Sequence, residues 1–118
     1  MESYPRRYLK DKKYSQDDFI PIVVLFIGGN GGKATKKYVE ERVYELFRDE
    51  FNKAVYQEKV ANDIPRWKHD IAWARNRAKK IHGYIKPPTT WSRGLWELSE
   101  EGKAYYQELV QLIEKSIA

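Results

Sequence analysis

The sequence predicts one α+β domain in which about four helices pack with a small antiparallel β-hairpin. Apolar residues recur three and four residues apart in several segments, which is the spacing of one helix face. Two short strand-like segments, "YIK" and "GLWEL", lie on either side of a proline-bearing loop, which favours a hairpin. At 118 residues, the chain is long enough for one hydrophobic core and too short for two.

The domain is predicted to occupy residues 17–118, after a basic arm at 1–16. Its first helix begins near Asp18 and contains the apolar run "FIPIVVLFIGG", where Pro21 is tolerated because it falls near the first turn. The glycine pair closing the run ends the helix. The run is far shorter than the roughly 20 residues of a membrane span, so we expect a soluble protein without membrane contact.

One short strand and a second helix come next. The segment "KAT" is strand-like, and Thr35 at its end is a residue type favoured at helix N-caps. The second helix has one apolar stripe, formed by Tyr38 or Val39 with Val43, Leu46 and Phe47. Residues 49–63 have a weaker pattern, in which Phe51 and Val55 allow one short extra helix.

A strongly basic helix is predicted between Pro65, a type favoured in the first turn, and Gly83, a type favoured after the last turn. Its narrow apolar stripe should face the core and contains Trp67, Ile71, Ala74, Ala78 and Ile81. In the hairpin that follows, Trp96 alternates with Leu98 and is expected to be buried. Ser99 caps the last helix, whose apolar stripe contains Tyr105, Leu109, Leu112 and Ile113.

Positive charge is concentrated in one part of the chain. The net charge is +5, yet residues 64–94 contain eight lysines and arginines against Asp70 alone, a local net charge of +7. Such a segment is typical of a polyanion-binding surface, with an ordinary solvated helix face as the alternative. Together with the order of the elements, it predicts a winged helix-turn-helix domain, whose third helix enters the DNA major groove.

The basic helix sorts its polar side chains by face. One face has the residue types that bind base edges, since arginine suits guanine, asparagine suits adenine and an acid suits the amino group of cytosine. These predicted base-reading residues are Arg66, His69, Asp70, Trp73, Asn76 and Arg77. Trp73 either packs against the second helix or the wing, which is the loop of the hairpin, or contacts a base methyl group.

Other basic residues are suited to the phosphates of the DNA backbone. On the basic helix, these predicted backbone contacts are Lys68, Arg75, Lys79 and Lys80. Three more surround the start of the second helix, where amide dipoles also favour phosphate: Lys33, Lys36 and Lys37. The wing adds Lys86 and Arg93 at its base and Trp91 at its tip.

Four short pieces of the sequence resemble the Mrr-like N-terminal domain, a winged-helix module typically fused to a restriction endonuclease domain in prokaryotes. The pieces are the apolar helix ending in Gly-Gly, Trp-Ala-Arg at 73–75, Gly-x-Trp-x-Leu at 94–98 and Ser-Glu-x-Gly at 99–102. The resemblance implies recognition of double-stranded DNA, with methylated DNA and N6-methyladenine as the expected target. It also implies a covalently fused nuclease domain and a location in the prokaryotic cytoplasm.

We expect this chain to be a recognition domain rather than an enzyme, with no metal or cofactor. It has no cysteine and two histidines, and "GGNGGK" lacks the Ser or Thr that follows the lysine of a phosphate-binding loop. The Glu101-Gly102-Lys103 triplet matches the Glu-x-Lys of restriction nucleases, but it lies at a helix start without a partner acid nearby.

Two further functions remain open on the sequence alone. A stand-alone transcription regulator of the same fold would normally be a dimer, and the last helix offers an apolar edge for it: Tyr106, Val110, Ile113 and Ile117. A protein-interaction winged helix is the other alternative, but it leaves the concentrated positive charge unexplained.

Overall fold

A computed structural model of the chain describes residues 17–60, 63–87 and 94–117. The predicted arm at 1–16, Trp91 and Arg93 lie outside these residues. The described elements are a 3-10 turn Asp17–Phe19, α1 Ile20–Gly29, β1 Lys33–Thr35, α2 Lys36–Leu46, α3 Arg48–Phe51, α4 Ala54–Gln57, α5 Arg66–Lys80, β2 Leu95–Glu97 and α6 Glu100–Ile117. The α+β class is confirmed. The described residues form six helices rather than about four, because the weakly patterned region contributes two single-turn helices.

Helix α1 is the centre of the core. Nearly every residue of its first two turns is apolar and buried, and it packs against α2, α5 and α6. A helix that is apolar on all sides is stable in water only when other elements surround it. Pro21 lies in the first turn, where its missing amide costs no helical hydrogen bond, as predicted.

The sheet differs from the predicted hairpin. Strand β2 pairs antiparallel with β1, with Ala34 opposite Trp96, and both side chains are buried. The "YIK" segment makes one bridge, Ile85 with Leu98, and the Lys86 amide donates to the Glu97 carbonyl at 2.8 Å. The Ser99 amide donates to the Tyr84 carbonyl at 2.9 Å, so residues 84–86 run antiparallel to residues 97–99.

The region between α2 and α5 contributes an aromatic cluster to the core. Phe51 is fully buried, and its ring lies 5.7 Å from that of Phe47 and 5.7 Å from that of Trp67, with which it stacks. Trp67 is half-buried against this cluster. The short helices α3 and α4 therefore serve to place Phe51 beneath the start of α5.

The buried stripe of α5 consists of Ile71, Ala74 and Ala78. Two alanines in a buried stripe allow α5 to approach α1 closely. Ile81 is 57% exposed, so its predicted inward position is wrong. Ile81 is the C-cap of α5 and its amide still bonds to the Arg77 carbonyl, so the residue keeps its helical position but lies at the end of the helix, beyond the buried part of the stripe.

The start of α6 is fixed by Ser99. Its hydroxyl accepts a hydrogen bond from the Gly102 amide at 3.0 Å, as expected of a cap, and donates to the Gly83 carbonyl. Leu109 is buried and Tyr105 stacks on Tyr84 at 4.4 Å, but Leu112 is 52% exposed and does not belong to the buried stripe. No described side chain of α6 beyond Leu109 is buried.

Gly102 allows the start of α6 to pack closely against the backbone of Tyr84. A Cβ there would overlap the Tyr84 carbonyl, whereas a Cβ at Gly29 would meet no atom within 4 Å. We expect Gly102→Ala to lower the free energy of unfolding by about 1–3 kcal/mol, the usual cost of overpacking. Gly29→Ala, the matched control, should leave it unchanged or raise it slightly. Urea unfolding of both variants tests this, and equal stabilities would contradict it.

Candidate nucleic-acid interface

Helix α5 has two polar flanks on either side of its outer face. One flank contacts the 3-10 turn before α1, because Arg77 reaches Asp17. The other contacts the sheet, because the Arg75 guanidinium lies 5.5 Å from the centre of the Trp96 ring. We call these the paired flank (Arg66, Asp70 and Arg77) and the basic strip (Lys68, Arg75 and Lys79).

On the paired flank, the two arginines that were predicted to read bases each contact an acidic residue from another part of the chain. Arg77 forms two hydrogen bonds with the Asp17 carboxylate, of 2.5 and 3.1 Å. The hydrogen bond and charge of Arg77 lower the pKa of Asp17, with a smaller contribution from His82. Arg66 lies 3.4 Å from a carboxylate oxygen of Glu58. Each of these two arginines therefore has an acidic partner within the chain.

Trp73 packs against its own helix. The indole Nε1–H donates to Nε2 of His69 at 2.8 Å, and the indole remains 45% exposed. The other ring nitrogen of His69, Nδ1, lies 3.5 Å from the Asp70 carboxylate, so the imidazole lies between the indole and that acid. One edge of Trp73 is therefore fixed while the rest of the ring faces outward.

Asn76 lies between Trp73 and the basic strip on the outer face. Its side chain is half-buried and makes no hydrogen bond with another of the residues that the structure describes. An asparagine amide can donate and accept together, as an adenine edge requires. Asn76 is thus the predicted base-reading residue with its hydrogen-bonding groups free within the described chain.

The basic strip has no acidic partner within ion-pair distance for Arg75 or Lys79 among the described residues. Burial lowers the pKa of Arg75, and the Nε atom of Arg75 has no hydrogen-bond acceptor among the described residues. The pKa of Lys79 is lowered by burial and then by the charges of Arg75 and Lys80. Crowded positive charge of this kind is unfavourable until an anion approaches.

The strip joins two further groups of lysines. At one end, Lys68 lies near Glu40 and Lys36 of α2, whose first turn also carries the exposed Lys37. Near the sheet, Lys86 binds Glu97 at 3.1 Å, and Lys33 and Lys103 also lower the pKa of Glu97. Lys103 was not predicted, because its position beside β1 depends on how α6 packs. Lys80 is exposed at the end of α5.

The base of the predicted wing lies beside the start of α2. The carbonyl of Gly94, just before β2, accepts a hydrogen bond from the Lys36 amide at 2.9 Å. At the other side, Lys86 is bonded to Glu97 through backbone and side chain. The Arg75–Trp96 contact and the Lys36–Gly94 hydrogen bond therefore bring part of the basic strip and the start of α2 next to β2.

Comparisons of the chain with protein-family models, curated protein sequences and solved structures gave no match. The resemblance to the Mrr-like N-terminal domain stays a prediction. None of the helices within residues 17–60, 63–87 and 94–117 combines the length and apolar character needed to cross a membrane.

The Asp17–Arg77 contact predicts a small acid-dependent contribution to stability. Folding lowers the pKa of Asp17, so the contribution is present above the usual aspartate pKa and is lost as pH falls through the lowered value. The exposed position of the pair keeps it small. NMR titration of the Asp17 carboxyl should give a higher pKa in Arg77→Gln. Arg66→Gln, the control, should not change it; equal pKa values in Arg77→Gln and the unsubstituted chain would contradict the assignment.

Proposed function

We propose that the chain is a winged helix-turn-helix domain that binds double-stranded DNA through α5, as the target-recognition module of a modification-dependent restriction endonuclease. The observation that carries this proposal is the basic strip, whose Arg75 and Lys79 have no acidic partner within ion-pair distance among the described residues, and which lies next to the start of α2 and β2. A winged helix contacts DNA through these same three elements. The restriction role rests on the resemblance of the sequence.

The strip supports phosphate binding because Arg75 and Lys79 have no acidic partner within ion-pair distance among the described residues. Lys68, Arg75 and Lys79 recur at helical spacing along one line of α5, so they can follow one strand of a groove. Arg75 is held in place by the Trp96 ring, which reduces the entropy lost on binding. The 15 residues of α5 span about 22 Å, long enough to lie within one turn of the major groove.

Base reading is assigned first to Asn76 and Trp73. Asn76 lies beside the strip with its amide free among the described residues, and Trp73 offers an exposed indole next to it. An amide and an apolar ring are what an adenine with a methylated amino group requires. Arg66 and Arg77 take part after they exchange Glu58 and Asp17 for DNA.

A stand-alone regulator is the second candidate, and the exposed Leu112 favours it. Leu112 lies on α6 near the half-buried Val110 and Ile113, and a dimer contact would cover it. Sedimentation velocity distinguishes the two functions. A stable dimer that Leu112→Glu dissociates supports the regulator, and a monomer supports the nuclease module.

Neutralising the strip should weaken binding to all duplexes. We expect Lys68→Gln with Lys79→Gln to reduce duplex affinity by about tenfold or more at low salt, and to lower the slope of log K against log salt by about 2. The control Lys53→Gln with Lys115→Gln removes the same charge from exposed positions outside the proposed interface. Fluorescence anisotropy at several salt concentrations measures both, and equal losses in the two variants would refute the proposed interface.

Trp73 should determine the preference for a methylated base. We expect a duplex with N6-methyladenine to bind more tightly than the unmodified duplex, and Trp73→Ala to remove most of that difference. Trp73→Phe, which keeps an aromatic surface, should retain part of it. The same anisotropy assay gives the ratio of the two affinities. A ratio of one in the unsubstituted chain would refute the methyl-reading role and leave duplex binding untouched.

A further inference from the structure

A groove of about 690 Å³ lies between the exposed face of α2 and the start of α5. This volume falls within the roughly 300–1,000 Å³ typical of small-molecule sites. Three kinds of side chain line it: aromatic rings, acids and basic groups. They are Tyr44 and Trp67; Glu40, Glu41 and Glu45; and Lys36, Lys37, Arg48 and Lys68.

The aromatic rings of the groove are held rigidly. Tyr44 and Trp67 lie 4.8 Å apart between ring centres, and Trp67 also stacks on the buried Phe51. The Tyr44 hydroxyl donates to Asn52 at 2.6 Å, which fixes the direction of the ring. Together they form a preorganised surface on which a planar ligand can lie.

Glu40 is the unusual group of the groove. It is only 8% exposed, yet it has no hydrogen bond or ion pair with another of the residues that the structure describes. Burial raises the pKa of this carboxyl, and the charges of Lys68 and Lys36 partly oppose that rise. The carboxylate oxygens of Glu40 are not among the fully buried atoms that lack a partner, so they remain accessible from the groove. A ligand with an N–H group directed at Glu40 would supply the donor that the described residues do not.

Charge differs along the groove. Lys36, Lys37 and Lys68 lie at the end where α2 begins, and α2 is an 11-residue helix whose N-terminal dipole adds to their potential. Glu40 and Tyr44 follow one and two turns further along α2. A ligand with an anion at one end and a planar hydrogen-bond donor at the other matches this order.

We propose that this groove binds a nucleotide. The phosphate contacts Lys36, Lys37 and Lys68, the base lies against Tyr44 and Trp67, and its exocyclic amino group donates to Glu40. Adenine, cytosine and guanine each have an exocyclic amino group, whereas uracil and thymine have carbonyl oxygens instead, which the Glu40 carboxylate repels. The nucleotide is either free or an unpaired nucleotide of a DNA strand, and in the second case the proposal rests on the proposed DNA binding.

The experiment is an NMR titration of the chain with CMP, UMP, AMP and inorganic phosphate. We expect CMP and AMP to shift the amide resonances of residues 36–44 and the indole resonance of Trp67. UMP differs from CMP chiefly at the exocyclic group. Its affinity should be at least about tenfold lower than that of CMP, because a hydrogen bond to a charged group is lost. Phosphate alone should shift only the start of α2.

Two variants of Glu40 test its role. Glu40→Met removes the acceptor while keeping the volume and should reduce CMP affinity about tenfold, to the level of UMP, with phosphate binding retained. Glu40→Gln keeps a weaker acceptor and should lie between. Glu108→Met, at an exposed position of α6, is the control and should bind CMP normally. Equal affinities for CMP and UMP, or unchanged binding in Glu40→Met, would overturn the proposal.

A further pair of ligands distinguishes the source of the nucleotide. One duplex is fully paired, and the other has an adenine opposite an abasic position. Tighter binding of the second, with shifts in the groove that Glu40→Met abolishes, identifies a strand nucleotide. Shifts with AMP and no difference between duplexes identify a free nucleotide. No shift in the groove with any ligand overturns the proposal. Failure of the proposed function would instead appear as no duplex binding at all, with the AMP shifts intact.

Discussion

The packing of α5 on α1 is the constraint on which the surface depends. Ile71, Ala74 and Ala78 are completely buried, and two of these three side chains are single methyl groups. Such a stripe permits close approach and leaves α5 little freedom to rotate about its axis. Its rotation decides that Arg77 meets Asp17 while Arg75 meets Trp96. The division of α5 into a paired flank and a basic strip is therefore a consequence of core packing.

Local patterns predicted the elements well. Helical spacing, the Thr35 and Ser99 caps and the glycine pair at the end of α1 located four long helices, and alternation correctly placed Trp96 and Leu98 in the core. The pairing of strands was less predictable. A turn-like loop favoured a hairpin, whereas β2 pairs mainly with β1, more than 60 residues earlier in the chain. Nothing local in the sequence specifies such a partner.

The candidate interface was predictable in residue type and less so in arrangement. Helical periodicity is sufficient to separate Lys68, Arg75 and Lys79 from the remaining polar face of α5. It could not show that Asp17 and Glu58 neutralise Arg77 and Arg66, because each ion pair joins side chains from different elements. The same applies to Lys103 and to the groove beside Glu40. Both depend on helices that approach each other only after folding.

In the proposed DNA-binding function, Asp17 would compete with DNA for the Arg77 guanidinium. A carboxylate in the same chain competes with an incoming anion at a local concentration that dilution of the protein does not change. A single phosphate offers the guanidinium little that Asp17 does not already provide. A guanine edge offers acceptors in a fixed geometry, at a position that other contacts also select. Such internal competition penalises chance encounters more than correct ones, and so favours selectivity over tightness.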